Sequence, residues 1–298
     1  MIPESLLAYA ARGPEWATWL DRLPRLAHEL LEEWGLTLDG DGLHGRASLV
    51  LPVRTTSGRP AMLKVGWPHE EAEHEALALQ HWHGDAAVQL LRADPRRWAL
   101  LLERLHPEDL TGLWDVQACE IVGGLYRRLH VPAPPQLRLL SAKAAEWAAE
   151  FADVPRDLPI PHRMIEQARS LARDFASDEA TDGRLVHTDL HYENVLAADR
   201  ADWLVIDPKP LSGDPHYEVA PMLWNRWSDY AAQGLSVRDG VRNRFFAIVD
   251  AAELDEDRAR DWVVVRMVVN VVDELTENGA PDADWITACI SVAKAVQG

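Results

Sequence analysis

The fold class this sequence predicts is α+β: a small sheet-rich amino-terminal lobe (1–105) followed by a larger helical lobe (106–298). Three observations predict it. The first hundred or so residues hold two pairs of apolar runs, each pair joined by a turn signal. After His106-Pro107 the apolar residues recur mostly at helical spacing. Two short apolar runs, 184–186 and 203–206, interrupt that texture on either side of Asn194.

The elements follow in order. Trp16, Leu20, Leu23, Leu26 and Leu30 lie on one helical face within 15–33, and Gly35 supplies a stop. Glycines at 40, 42 and 45 precede the alternating run 48–53; residues 55–60 read as a hairpin turn and 61–65 as the returning strand. Pro68 opens a charged helix through Trp82. A second hairpin runs from 88–91 through the Asp94-Pro95 turn into 98–103. In the second lobe, helices are expected over 113–129, 142–151 and 164–176, with proline-rich breaks at 131–135 and 154–161. From Glu218 onward the chain reads as helices. The valine-rich run 263–272 suits a strand by composition, but its flanking charged clusters favour a buried helix.

Charge narrows the choice of partners. Thirty basic against 48 acidic residues leave a net charge of -18 over 298 residues. Such a surface repels polyanions, which argues against nucleic acid and anionic membranes as partners. It favours a cationic small molecule, although solubility alone also accounts for it. Cys119 and Cys289 lie far apart in helical segments and suggest neither a disulfide nor a metal site. The first residues lack a basic stretch followed by a long apolar one, and 262–272 is too short and too polar, at Arg266 and Asn270, to span a bilayer. A cytoplasmic protein with no obligate protein partner is the expectation.

The segment that carries chemistry is Val186-His187-Thr188-Asp189-Leu190-His191-Tyr192-Glu193-Asn194, followed by Val205-Ile206-Asp207-Pro208. Phosphoryl transfer needs a carboxylate to orient the acceptor hydroxyl and hard oxygen ligands to hold metal ions on the nucleotide phosphates. Asp189, Asn194 and Asp207 supply these groups in the order of a kinase catalytic loop and its following metal-binding aspartate. Two other readings stand beside this one. His187, Asp189 and His191 alternate and can share a strand face as transition-metal ligands. The segment can also be a polar strand end whose side chains cap a turn.

The same segment resembles the catalytic motif of the aminoglycoside phosphotransferases, in which a histidine precedes the catalytic aspartate. Residues 206–210 (Ile-Asp-Pro-Lys-Pro), Gly213-Asp214-Pro215 and Asn225-Arg226 resemble the streptomycin 6-phosphotransferase and hydroxyurea phosphotransferase branch. Residues 60–65, 75–79 and 101–105 agree with it, and the resemblance spans about residues 14–275. Departures from protein kinases are equally plain. Thr188 stands where they carry Arg, His191 where they carry Lys, and Pro208-Lys209 where they carry Phe-Gly. Of the glycine-rich loop only Gly45-Arg46-Ala47-Ser48 remains. These departures point away from protein substrates.

The resemblance implies a bilobal, protein-kinase-like fold with ATP held between the lobes. It implies Asp189 as the catalytic carboxylate and Asn194 and Asp207 as Mg2+ ligands. Lys64 would meet the nucleotide phosphates, paired with Glu75 in preference to Glu71, and Ser48 would lie in the remnant loop. Backbone groups of Glu103 and Leu105 would meet the adenine edge. Trp224 and Trp227 are candidates to border the acceptor pocket. Asp214 and Glu218 are candidate substrate carboxylates, with Asp229, Asp273 and Glu277 as weaker ones. The implied activity is ATP-dependent phosphorylation of a hydroxyl on streptomycin or a related aminocyclitol. Hydroxyurea or an amino sugar is the alternative acceptor, and a nucleotide-binding module without turnover is the alternative class.

Overall fold

Apolar residues at 49, 51 and 53 and at 61, 63 and 65 point to one face of two paired strands, and all six are fully buried. In the computed structural model, which describes residues 1–155, 158–227, 229–232, 234–277 and 281–298, these strands centre an antiparallel sheet. Its members are β1 (Thr37–Leu38), β2 (Leu43–His44), β3 (Ser48–Arg54), β4 (Pro60–Gly66), β5 (Leu90–Asp94) and β6 (Ala99–Glu103). The order is β1-β3-β4-β6-β5, with β2 also on β3. The turn between β3 and β4 closes through Gly58, whose φ of +81° favours glycine. The Asp94 side chain accepts from the Arg96 and Arg97 amides and fixes the β5–β6 turn.

A short α1 (Glu4–Leu7) and the long α2 (Pro14–Glu33) complete this side of the core. Leu6, Leu23, Ala27 and Leu30 share one buried cluster with the sheet. Each fully buried leucine contributes roughly 1.5–3 kcal/mol. The expected helix from Pro68 to Trp82 is shorter than its sequence suggests. Glu70–Ala72 forms a single 3-10 turn, and the α-helix α3 covers only Glu75–Trp82. Glu70, Glu71 and Glu73 crowd like charges there, and in a continuous helix Glu71 would lie one turn from Glu75, a spacing that disfavours it.

This first compact unit comprises Met1–Pro107 together with Ala197–Asp202. A single cut in the chain does not capture it. Residues 197–202 join it because Arg200 donates to the Gly84 and Ala87 carbonyls (2.6 and 2.7 Å) and to the Glu103 carboxylate, while the His106 amide donates to the Ala197 carbonyl.

The second unit, Glu108–Leu196 and Trp203–Gly298, is mainly helical. Its helices are α4 (Asp115–Leu129), α5 (Leu140–Glu150), α6 (His162–Ser177), α7 (Ala220–Trp224), α8 (Asp229–Ala232), α9 (Val237–Ala252), α10 (Glu256–Glu277) and α11 (Ala283–Val296). The valine run is helical: Val263, Val264 and Val265 are buried within α10. Helix α4 meets α9 closely at Gly123, where a Cβ would sit 2.6 Å from Ala251 Cβ. Four short strands, β7 (Arg184–Val186), β8 (Val195–Ala197), β9 (Trp203–Val205) and β10 (Leu211–Gly213), form two pairs, β7 antiparallel with β10 and β8 with β9. Among the described residues, no helix is long and apolar enough to cross a membrane.

Candidate active site

In the first unit, Lys64 lies on the central strand β4, opposite Val50 of β3 and Leu100 of β6. Its Nζ donates to both Glu75 carboxylate oxygens, at 2.6 and 2.7 Å. Glu75 opens α3, where the amino-terminal helix dipole favours a carboxylate. The side chains are only 11% and 7% exposed, so the pair is a buried one whose partners depend on each other. Ser48 is buried at the start of β3, opposite Gly66, and the Gly45 amide donates to its carbonyl at 3.0 Å. Glu103 ends β6, and its Oε1 accepts from the Gln89 amide and from Arg200. Its own amide donates to the Gln89 carbonyl. Leu105, two residues on, is half-buried.

In the second unit, pairing of Val186 with Leu211 ends β7 and releases the chain into residues 187–194. His187 is fully buried, and burial holds its pKa below the ordinary value. The Asp189 amide donates to His187 Nδ1 (3.3 Å), which makes Nε2 the protonated nitrogen; it donates to the Ile206 carbonyl at 2.9 Å. Thr188 holds φ at +66°, an unfavourable angle for a β-branched residue. Three bonds secure it. Its amide donates to Glu218 Oε1 (2.5 Å), its hydroxyl donates to the Lys209 carbonyl (2.7 Å), and its carbonyl accepts from Arg266. Such strain concentrates at functional sites when the surroundings over-determine it.

The strained turn presents Asp189. Lys209 Nζ donates to Asp189 Oδ2 at 2.5 Å, with the two side chains 27% and 23% exposed. Burial works to raise the Asp189 pKa, but the charge and hydrogen bond of Lys209 outweigh it and hold the carboxyl below its ordinary value. His191 is held low by burial against the opposing charge of Asp189. Asn194 Nδ2 donates to the Asp189 carbonyl at 2.8 Å. That bond orients the amide and leaves Oδ1, a hard oxygen donor, without a hydrogen-bond partner among the described residues. The Ile206 amide donates to the Asn194 carbonyl (2.9 Å), which ties the chain just before Asp207 to Asn194. Asp207 itself adopts φ +57°, turning the chain as it leaves β9. The donor set suits a hard cation. Among the described residues, no three His, Cys, Asp or Glu side chains cluster as a metal site, so the alternating His187, Asp189 and His191 do not form one.

The expected substrate carboxylates occupy different surroundings. Asp214 is 1% exposed. Its Oδ2 accepts from Arg258 Nε (2.5 Å) and Trp262 Nε1 (2.6 Å), and its Oδ1 from the His216 amide (3.0 Å). Glu218 is 0% exposed, joined to the Thr188 amide and, through Oε2, to His130 Nε2 at 2.7 Å. Both carboxylates are occupied inside the protein, which leaves them no exposed oxygen for a substrate. Trp224 is half-buried, edge-on to Trp285 and beneath the Arg266 guanidinium. Trp227 is half-buried against Tyr230, and Asp229 pairs with Arg226 at 2.5 Å. Asp273 is exposed; the Glu277 side chain lies outside the described residues.

Sequence reasoning missed the groups that hold this turn, Lys209, Arg266 and His130, and the buried Asp115–Arg244 pair that bonds the 222–226 carbonyls. Arg244 Nη2 donates to Asp115 Oδ2 at 2.6 Å, with its guanidinium over the Tyr230 and Tyr192 rings. The Pro208-Lys209-Pro210 run was the one available signal, because flanking prolines mark a constrained backbone.

A two-unit α+β chain with a histidine-aspartate turn, an oriented asparagine and a following aspartate has the make-up of a protein-kinase-like small-molecule phosphotransferase. The family described as aminoglycoside/hydroxyurea antibiotic resistance kinases matches residues 33–276, and the chain belongs to it. The streptomycin 6-kinase of Streptomyces glaucescens is 40% identical, over 100% of this chain and 97% of its own length. The hydroxyurea phosphotransferase of Kitasatospora aureofaciens is 37% identical, over 93% and 81%. An aminoglycoside phosphotransferase solved with ADP and hygromycin B shares the fold at TM-score 0.61 and 17% identity, covering 91% of this chain and 98% of that one. The chain is therefore a phosphotransferase with a hydroxyl acceptor on a small molecule.

Proposed function

We propose that the enzyme transfers the terminal phosphoryl group of ATP to a hydroxyl of streptomycin or a closely related aminocyclitol. Support for the acceptor comes from the streptomycin 6-kinase that matches the whole chain at 40% identity. The net charge of -18 agrees with a cationic acceptor. The carrying observation for the chemistry is the turn at Asp189, where a mostly covered but still accessible carboxylate follows a strained backbone beside an oriented Asn194.

Asp189 orients the acceptor hydroxyl and takes its proton. The acceptor oxygen bonds to the γ-phosphorus as the bond to the β,γ-bridging oxygen breaks, and the electron pair leaves with ADP. Asn194 Oδ1 and the Asp207 carboxylate would hold Mg2+, which would neutralise charge on the phosphates. Lys64, steadied by Glu75, addresses the nucleotide phosphates. Ser48 and the backbone of Glu103 and Leu105 complete the nucleotide contacts. Trp224 and Trp227 border the acceptor. Glu218 serves the acceptor only indirectly, by fixing the Thr188 backbone that precedes Asp189, and Asp214 holds Arg258, Trp262 and His216 together inside the fold.

Hydroxyurea is the second reading, favoured by the 37% identity to a hydroxyurea phosphotransferase. A coupled ADP-release assay across streptomycin, other aminocyclitols, amino sugars and hydroxyurea separates them. Streptomycin-dependent ADP release with a phosphorylated product is the expected result. Release with hydroxyurea alone would overturn the acceptor assignment.

A further inference from the structure

The proposed chemistry gives Asp189 two tasks, accepting a proton and pointing at one hydroxyl, and nothing so far has assigned its orientation. The sequence places an unusual cation beside it. Pro208 and Pro210 restrict the backbone on either side of Lys209. The Lys209 amide donates to the His187 carbonyl at 3.0 Å, and the Lys209 carbonyl accepts from the Thr188 hydroxyl at 2.7 Å. Lys209 is thus stitched to the two residues that precede Asp189. Its side chain then closes the loop by donating to Asp189 Oδ2. Most lysine–carboxylate pairs at a protein surface are floppy and contribute little. This one has both backbones locked and both side chains at least two-thirds covered, which removes much of the entropic cost of holding one geometry.

The remaining oxygen completes the picture. Among the described residues no hydrogen-bond donor reaches Asp189 Oδ1. Where protein kinases carry a lysine two residues after the aspartate, this chain has His191, and no hydrogen bond joins it to Asp189 among the described residues. Arg266 is committed to the Thr188 and Tyr217 carbonyls.

We propose that Lys209 is the positioning residue for Asp189: by holding Oδ2 it fixes the carboxylate so that Oδ1 faces the acceptor hydroxyl. This rests on the reading of Asp189 given above. In the transfer step the acceptor proton passes to Oδ1, the new P–O bond forms and ADP departs, while Lys209 keeps its proton and its contact to Oδ2. The lysine acts through Asp189 and touches neither reactant.

The test compares Lys209→Met, Lys209→Arg, Asp189→Asn and the Lys209→Met/Asp189→Asn double variant. Each is measured for streptomycin phosphorylation, for ATP hydrolysis with water as acceptor, for ATP affinity and for thermal midpoint. Lys209→Met should lower kcat about 10- to 100-fold in both reactions, the size of effect expected from a misplaced catalytic group. ATP affinity should stay within about twofold and the midpoint within about 2 °C, as befits a partly exposed pair. Lys209→Arg should recover part of the loss, and Lys209→Met should cost nothing further once Asp189 is Asn. Turnover of Lys209→Met within about threefold of wild type would overturn the assignment. So would a parallel loss of ATP affinity and midpoint, or an added loss in the double variant. Absence of streptomycin phosphorylation with hydrolysis intact sinks the acceptor reading alone, because the hydrolysis arm still tests Lys209.

Discussion

Each unit contains a lysine–carboxylate pair, and the two are built for different ends. Lys64–Glu75 is sealed between a central strand and a helix start, with bonds from one ammonium to both carboxylate oxygens. Lys209–Asp189 is about a quarter exposed, uses one carboxylate oxygen, and lies between two turns in which Thr188 and Asp207 hold positive φ. Under the proposed function, burial makes the first pair a matter of stability as well as ligand contact, and partial exposure beside a strained turn makes the second a matter of rate. The same two chemical groups do different work because the backbone and the solvent around them differ.

Breaking the sealed pair should have the largest effect on folding. Lys64→Met leaves a buried carboxylate without its cation, so denaturant unfolding should show a loss of about 3–5 kcal/mol. ATP affinity should fall with it. A loss no greater than that of Lys209→Met would erase the distinction between the pairs.

A second comparison sets Asp207 against Asp189. Removal of a group that merely orients a metal ligand typically costs about 10–100-fold in affinity, so loss of a ligand should cost at least that much. Asp207→Ala is therefore expected to weaken Mg2+-dependent ATP binding about a hundredfold or more, measured by titration calorimetry with and without the metal. Unchanged Mg2+ dependence would remove Asp207 from the ligand set.

The smallest effect sharpens the contrast between working and supporting carboxylates. Burial favours the protonated form of Asp214, but hydrogen bonds and charge from His216, with Trp262, hold its pKa below the ordinary value. A carboxylate with a lowered folded pKa contributes stability above its unfolded pKa, and that stability disappears as pH falls through the folded value. Asp214→Asn should lower stability at pH 7 by about 1.5–3 kcal/mol, the range for hydrogen bonds to charged groups. The difference from wild type should shrink in urea melts below about pH 4, where unfolded aspartate begins to protonate. A difference independent of pH would mean that its charge has no part in the fold.

Much of the scaffold was legible because its signals are local. Alternation at 48–53 and 61–65 gave β3 and β4, and the Asp94-Pro95 turn gave the second hairpin. The flanking charges correctly resolved the valine run as helix, because a buried helix and a buried strand share composition but differ in length. The overlong helix after Pro68 came from reading charge as helical without weighing like charges one turn apart. At the site, the motif order identified Asp189, Asn194 and Asp207 as candidates, whereas their supports come from remote sequence. Glu218 meets Thr188 across 30 residues and His130 across 88, and Arg200 meets Glu103 across 97. No spacing rule marks such pairs. Asp214 and Glu218 read as substrate carboxylates for the same reason: burial of an acid depends on distant partners that a one-dimensional pattern does not reveal.

The most direct test of the central claim, that Asp189 serves the acceptor and not the nucleotide, is Asp189→Asn measured for ATP affinity and streptomycin phosphorylation in the same preparation. The substitution keeps shape and removes the proton acceptor. A fall in kcat of about 10²–10⁴-fold, the range for loss of a general base, is expected, with ATP affinity nearly unchanged. Turnover close to wild type, or a collapse of ATP affinity that accounts for the lost rate, would contradict it.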